Sequence, residues 1–341
     1  AANPEVVLEL TRILLDYVKR GAQFIRLDAI AFMCKILGTP CIHLPETHLI
    51  IQLWRDMLDL AAPQAILITE TNVPHHENVS YFGDGTNEAQ LVYNFALPPL
   101  VLHTLSTGDA ADLTRWARTL TRPSEHTTFF NFTASHDGIG VRPVSAILPP
   151  HAVDALVERT LAHGGRVSYR SLPDGSRSPY ELNISYFDAI TAPDVTAQDP
   201  QTAVSRFVVS QAIALTLMGM PALYFHSLFG SRSDTDAVIR TGQNRSINRA
   251  KLDADTLLEE LRTPESLRAR VYGRLKALLK VRTQQAAFHP LAPMYIHDLH
   301  PSLFVVARDS RDGTQHIMAL HNVSGQSVTL DLSGFGARWH D

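Results

Sequence analysis

An α/β fold built on a parallel sheet is the class this sequence predicts, and three observations predict it. Short apolar strands alternate with amphipathic helices along most of the chain, a pattern that lays strands parallel with helices crossing between them. Acidic residues stand at or just beyond the ends of three of those strands, at Asp28, Glu70 and Asp137. Near the C-terminus, three apolar runs alternate at period two with no helix between them, as antiparallel strands do.

The chain opens on Asn3-Pro4, an N-cap followed by proline at the first helical position. Val6, Val7, Leu10, Ile13, Leu14, Tyr17 and Val18 keep helical spacing, and Gly21 stands where a C-cap belongs. Residues 23–27 form a short strand ending at Asp28. Residues 46–62 carry Leu49, Ile50, Leu53, Trp54, Met57, Leu58 and Leu60 as an amphipathic helix. A second buried strand, 65–69, ends at Glu70; a weaker third, 90–94, precedes a helical stretch near 98–120. Residues 127–132 are a fourth strand, with Asp137 shortly after it. The rhythm breaks over 138–198, rich in Pro, Gly, Ser and Asp with one clear helix at about 151–163, and a loop insertion is expected there. A helix over 200–218, a strand at 221–225 and a helix over 265–284 restore it. Residues 303–307, 316–320 and 328–332 supply the terminal antiparallel strands.

Of 341 residues, 45% are hydrophobic and 19% charged, ordinary for a globular protein with a large core. A net charge of −4 gives no reason to expect nucleic acid or an anionic membrane as partner. No window reaches the ~18 apolar residues of a membrane span, and no signal peptide is visible at the start. Cys34 and Cys41 stand seven positions apart without metal-ligand partners at useful spacing. Two cysteines fit a reducing cytoplasm better than a disulfide scaffold. Met33, Met57, Met218 and Met220 read as core filler, and the spacing of His43 and His48 suggests no metal site. No metal and no cofactor are expected.

An acid after a strand is often only a helix cap or a turn former, so each of the three is weak alone. Placed at three strand ends, they fit the rim where parallel barrels gather catalytic residues. Retaining glycoside chemistry needs a carboxylate nucleophile and a carboxylic acid about 5–5.5 Å apart. Arg26, two positions before Asp28 on the same face of its strand, can hold that carboxylate ionised. Glu70 ends an almost wholly apolar strand, so desolvation can keep it protonated for leaving-group attack. His136 and Asp137 can bind sugar hydroxyls as the ring distorts towards an oxocarbenium ion.

At these residues the sequence resembles a known family. Phe-Ile-Arg-Leu-Asp-Ala-Ile at 24–30 resembles the nucleophile strand of the α-amylase family, glycoside hydrolase family 13. Ile-Thr-Glu-Thr-Asn at 68–72 resembles its acid/base strand, and Phe-Thr-Ala-Ser-His-Asp at 132–137 its transition-state-stabilising segment. The resemblance implies a partial (β/α)8 TIM barrel, with strands four to eight of the barrel present. Residues 1–137 would hold strands four to seven and their helices, 138–199 a loop insertion over the active site, 200–288 the last helix–strand–helix units, and 289–341 an incomplete antiparallel β domain. The family's Asp…Asn-His segment and its first three strands are not in this sequence; the resemblance puts them upstream of Ala1. Truncation at both ends is therefore expected, since Trp339-His-Asp341 stops in mid-element, and a barrel beginning here could not close.

Within the family, the sucrose-phosphorylase-like branch is the nearest in character. The signs are Thr-Glu-Thr-Asn-Val-Pro-His at 69–75, the long insertion after Asp137, Tyr-Glu-Leu-Asn at 180–183, Pro-Ala-Leu-Tyr-Phe-His-Ser at 221–227 and Arg-Ser-Ile-Asn-Arg at 245–249. Residues 69–75 and 77–83 resemble glucosylglycerate phosphorylases more than plain sucrose phosphorylases. What the resemblance implies is transfer of glucose from an α-glucoside to inorganic phosphate, giving α-glucose 1-phosphate. Asp28 would form the covalent glucosyl-enzyme, with Glu70 as acid/base and Asp137 as third catalytic acid. Arg249 would contact the donor sugar, Asn72 and Tyr180 would lie on the acceptor side, and Arg26 and His136 would complete the substrate contacts. A homodimer is an option, since dimers are common in the branch. Sucrose or sucrose 6′-phosphate phosphorolysis, hydrolysis by the same acids, and an inactive sugar-binding or scaffold fragment are the alternatives.

Overall fold

The structure, a computed structural model, describes residues 3–172 and 174–333. Eleven strands, β1 to β11 in chain order, occur among those residues. Five of them make one parallel sheet: β1 (Phe24–Leu27), β2 (Ile66–Thr69), β3 (Leu91–Tyr93), β4 (Thr128–Phe132) and β8 (Met220–Ala222), in the order β1-β2-β3-β4-β8. Such strands are buried on both faces, so they read as continuous apolar runs; β2 is Ile-Leu-Ile-Thr and β4 is Thr-Phe-Phe-Asn-Phe. Register decides what emerges at the sheet's end. Leu27 pairs with Thr69, so the next residues, Asp28 and Glu70, leave adjacent strands side by side.

The first helix, α1 (Pro4–Lys19), is capped as its sequence demands. Asn3 Oδ1 accepts the Glu5 N–H at 2.9 Å. At the other end Gly21 takes φ +95°, and its N–H and that of Ala22 donate to Val18 and Tyr17 carbonyls at 2.9 and 3.0 Å, a Schellman closure that favours glycine. Trp54 on α2 (Pro45–Ala61) donates to Thr11 Oγ1 at 3.0 Å and joins the two helices. The apolar stripe of α1 is only partly used: Leu14 is buried, whereas Val6, Ile13 and Tyr17 are exposed. β1 pairs with β2 alone among the described strands, so part of this stripe has nothing packed on it there.

Several expectations need correction. The stretch near 98–120 is two helices, Leu97–Thr107 and Ala111–Ala117, because Gly108 turns left-handed at φ +72° between them. The insertion holds more than the helix Pro150–Ala162: β5 (Ile139–Gly140), β6 (Arg166–Ser171) and β7 (Arg177–Asn183) form an antiparallel sheet in the order β5-β7-β6. Its outer strand β6 is largely exposed and reads Arg-Val-Ser-Tyr-Arg-Ser, with only Val167 and Tyr169 alternating among polar residues. β8 is shorter than the predicted 221–225 and gives way to the helix Phe225–Leu228. A helix at Ala254–Arg262 was not anticipated.

At the C-terminal end β9 (Met294–His297), β10 (Leu303–Asp309) and β11 (His316–Asn322) form the antiparallel sheet in the order β11-β10-β9. Residues 328–332 do not join it. Their period-two pattern is present, but they remain half or fully exposed and gain no ladder; β9 takes the third place, on the far edge of β10. Trp339, His340 and Asp341 lie outside the described residues.

Arg308 fastens this sheet to the parallel one. It is fully buried and donates to the carbonyls of Pro293, Thr216, Leu217, His289 and Ala292 at 2.8 to 3.2 Å. Burial pushes its pKa down to about 10, which still leaves it charged at neutral pH. Arg308→Met would leave those carbonyls unpaired in the interior. The expected cost is about 3 kcal/mol or more, read as a shift in denaturant midpoint.

His75 and His321 are buried and held neutral, desolvation lowering each pKa to about 4 from an ordinary 6.5. An unfolded chain protonates both below that ordinary value, whereas the folded chain does not. Stability conferred by these sites is therefore complete above pH 6.5 and falls as pH drops towards 4. Thermal melts across that window should show the decline, shallower in His321→Gln.

Candidate active site

Asp28, Glu70 and Asp137 come together around one cleft of about 340 Å³ at the C-terminal end of the parallel sheet. Ala29, Phe32, Thr71, Asn72, His136, Arg142, Tyr180, Arg245 and Arg249 complete its walls. The lining comes from the loops after β1, β2 and β4, from β7 in the insertion, and from the segment 245–249.

Arg26 lies behind the first two acids and touches both. Its Nη1 donates to Asp28 Oδ1 at 2.5 Å, and its Nη2 stands 3.7 Å from Glu70 Oε2. The guanidinium lies over the Tyr93 ring, 5.5 Å from the centroid. Burial works against the charge, but Tyr93, Glu70 and Asp28 outweigh it and hold the Arg26 pKa above its usual value. The two carboxylates thus share one cation, as the strand register foreshadows.

Their surroundings differ sharply. The Asp28 side chain is 71% exposed, whereas that of Glu70 is 12% exposed. Burial raises the Glu70 pKa above its ordinary 4.5; an N–H from Ala29 and the charge of Arg26 oppose the rise, and Asp28 and Asp137 add to it. The Ala29 N–H reaches Glu70 Oε2 at 2.9 Å because Ala29 is left-handed, φ 46° and ψ 36°. A residue with a Cβ seldom takes that conformation, at a cost of roughly 1–2 kcal/mol. No sequence signal at an alanine announces it.

Asp137 is compensated from the far side. Arg245 Nη1 and Arg249 Nη2 meet its Oδ1 at 2.9 and 3.1 Å, with His136 Nε2 at 3.7 Å. All three converge on one oxygen. Asn248 Nδ2 donates to the backbone carbonyls of Ser135 and Asp137, and Arg249 Nε to that of His136, fixing the loop that carries the acid. Arg245 also forms a two-pronged pair with the buried Glu181, which raises its pKa. Tyr180 is half-buried, and burial followed by the Glu181 charge pushes its pKa up against a hydrogen bond from Asn72.

All eight predicted residues therefore lie in or directly behind the cleft. Ala29, Glu181 and Arg245 escaped the sequence reading as site residues. Arg245 had a signal, four positions before Arg249, that went unused; Glu181 lies beside Tyr180 yet reads as an ordinary exposed acid until the fold buries it.

Two carboxylates, Asp28 and Glu70, thus share the Arg26 guanidinium at one cleft. A glucosylglycerate phosphorylase of Spirochaeta thermophila is 48% identical over 323 residues, covering 95% of this chain and 54% of that protein. The chain belongs to the sucrose-phosphorylase-like branch of glycoside hydrolase family 13. It spans just over half the length of the relative it matches. A second member of the branch, a sucrose phosphorylase of Agrobacterium vitis, is 30% identical over 296 residues, covering 83% of this chain and 54% of that protein. Among solved structures, the sucrose 6F-phosphate phosphorylase of Thermoanaerobacter thermosaccharolyticum overlays with a TM-score of 0.75 at 23% identity, over 94% of this chain and 59% of that one. At that identity the likeness shows the fold, and it establishes the five parallel strands as part of a (β/α)8 barrel. No protein-family model matches the chain.

The raised pKa of Glu70 yields a stability test within the family site. Below pH 4.5 the carboxyl is protonated folded or unfolded; as pH rises, the unfolded chain ionises first and stability is lost. Glu70→Gln is expected to melt higher than wild type at pH 7, with the gain disappearing below pH 4.5. Equal melting-temperature differences at both pH values would contradict the burial argument.

Proposed function

We propose that the protein is a retaining α-glucoside phosphorylase, acting on a glucosylglycerate-type donor. The observation that carries it is the single Arg26 guanidinium bridging an exposed Asp28 carboxylate and a buried Glu70. One acid is thereby kept ionised for attack while the other is biased towards its protonated form.

Asp28 attacks the anomeric carbon as Glu70 delivers its proton to the glycosidic oxygen, and the glycerate leaves as its hydroxyl form. A glucosyl ester on Asp28 remains. A phosphate oxygen then attacks the same carbon, Glu70 takes the phosphate proton, the ester bond breaks, and Asp28 is restored with the anomeric configuration retained. Asp137 Oδ2 and His136 hold ring hydroxyls through the flattened transition state. Tyr180, Asn72 and Arg249 complete the donor and acceptor contacts. Arg245 and Arg249 bring guanidinium groups into the cleft, which suits a phosphate dianion.

Preference for glucosylglycerate over sucrose rests on identity, 48% against 30%, and on the cationic cleft. Among the described residues no helix is long and apolar enough to cross a membrane. With two cysteines in the whole chain, a cytoplasmic location is the proposed setting.

Incubating the protein with glucosylglycerate, with and without phosphate, and assaying glucose 1-phosphate tests the reading. Phosphate-dependent glucose 1-phosphate is expected; free glucose released equally without phosphate would make the protein a hydrolase instead. Asp28→Asn should lower kcat by on the order of 10⁴-fold, and an Asp28→Asn variant as active as wild type would remove the nucleophile assignment.

A further inference from the structure

Four guanidinium groups stand in or behind the cleft, and three of them are held tightly by carboxylates. Arg26 is bound to Asp28, Arg245 to Asp137 and Glu181, and Arg249 to Asp137. Arg142 differs. Its nearest acid is Glu77 at 3.6 Å, beyond hydrogen-bond distance, and its side chain makes no hydrogen bond among the described residues. Its side chain is 23% exposed and lines the cleft with Asp28 and Glu70. A guanidinium so placed has donors to spare.

Glu77 is itself divided. Its Oε2 also meets His43 Nε2 at 3.1 Å, and His43 Nδ1 is hydrogen-bonded to the Tyr81 hydroxyl at 2.8 Å. This chain of contacts orients Glu77 from behind, so Glu77 steers Arg142 without saturating it.

Beside Arg142 the wall is finished by Asn72. Arg142 follows β5, whose Gly140 lies so close to Asn72 that a Cβ there would fall 2.5 Å from Asn72 Oδ1. The Val141 N–H donates to the Tyr180 carbonyl at 3.2 Å. The loop after β2 and the start of the insertion are thereby pressed into one surface. Asn72 Oδ1 is buried in this contact.

We propose that Arg142 reads the carboxylate of the acceptor, so that it selects a short hydroxy acid over a neutral polyol. This rests on the phosphorylase reading above. A planar guanidinium fork matches a carboxylate in two parallel hydrogen bonds. Glycerol offers the hydroxyls without the carboxylate, which makes it the discriminating acceptor.

The test runs the reaction towards synthesis with the protein, glucose 1-phosphate and either glycerate or glycerol. Arg142→Gln should lower the ratio of kcat/KM for glycerate to that for glycerol by roughly 10²-fold, the scale on which a lost charged hydrogen bond discriminates. Arg142→Lys should recover part of the ratio, since it keeps the charge and loses the fork. In the phosphorolytic direction the KM for phosphate should stay within about threefold. An unchanged ratio overturns the assignment, and so does a large rise in the phosphate KM alone, which would make Arg142 a phosphate ligand. Calorimetry with glycerate alone separates this inference from the reading it rests on. Were wild type to make no glucose 1-phosphate, tenfold weaker glycerate binding in Arg142→Gln would still support Arg142, and undiminished binding, or none in wild type, would overturn it.

Discussion

The contact on which the rest of the site depends is the one between Arg26 and its two carboxylates. Asp28 and Glu70 belong to adjacent parallel strands paired in register, and both reach the same guanidinium. Without that cation two acids so close would repel one another, and one would have to take up a proton indiscriminately. With it, the choice is made by solvent. Asp28 reaches water and Arg26 together, while Glu70 is buried and keeps the weaker share of the charge. Strand register thus settles proximity, and burial raises the pKa of Glu70.

Keeping that register requires the sheet ends to be rigid. Polar groups inside the sheet are paired in sequence: Asn94 Nδ2 donates to Asn131 Oδ1 at 2.9 Å, and Asn131 Nδ2 to the Met218 carbonyl at 3.0 Å. The chain enters β8 through Gly219, at φ +129°, where a Cβ would stand 2.4 Å from the Phe129 carbonyl oxygen. Only glycine permits that approach. Below the rim, Arg55 is fully buried and donates to the Ala65 carbonyl and to Gln90, whose side chain also accepts the Leu67 N–H. Buried polar groups satisfied in this way resist sliding, since a shifted strand would strand several of them at once.

Much of this was readable in the sequence because parallel strands buried on both faces announce themselves. Residues 23–27, 65–69 and 127–132 are short apolar runs, the first two closed by an acid, and all three became strands within a residue of their expected ends. Where the signal was amphipathic pattern alone, it misled: residues 328–332 alternate well but find no neighbour to pair with, because pairing is a property of the sheet and not of the segment. The insertion hid its strands for the opposite reason, since β6 is mostly exposed and carries only two apolar residues, Val167 and Tyr169. Ala29 was hidden altogether. Its left-handed backbone is imposed by the turn from β1 and the hydrogen bond to Glu70, and nothing in an alanine records it.

The insertion also supplies the charge balance that the barrel rim lacks. Asp137 leaves β4 with no cation on its own strand, and it depends on Arg245 and Arg249 from a later segment of the chain. Arg245 is in turn anchored by Glu181 on β7, itself buried. A charge placed on the rim by one strand is therefore matched by groups that fold later in sequence, and the match is cooperative. Removing Glu181 would leave Arg245 mobile and with excess charge, free to draw Asp137 away from the sugar; removing Arg245 would bury Glu181 unpaired, which costs more than either ion pair contributes. The cleft is consequently built as a balanced array of alternating charges, in which Arg142 alone has no carboxylate within hydrogen-bond distance among the described residues. In that array Arg142 keeps donors that no carboxylate takes up, at the wall it shares with Asp28 and Glu70.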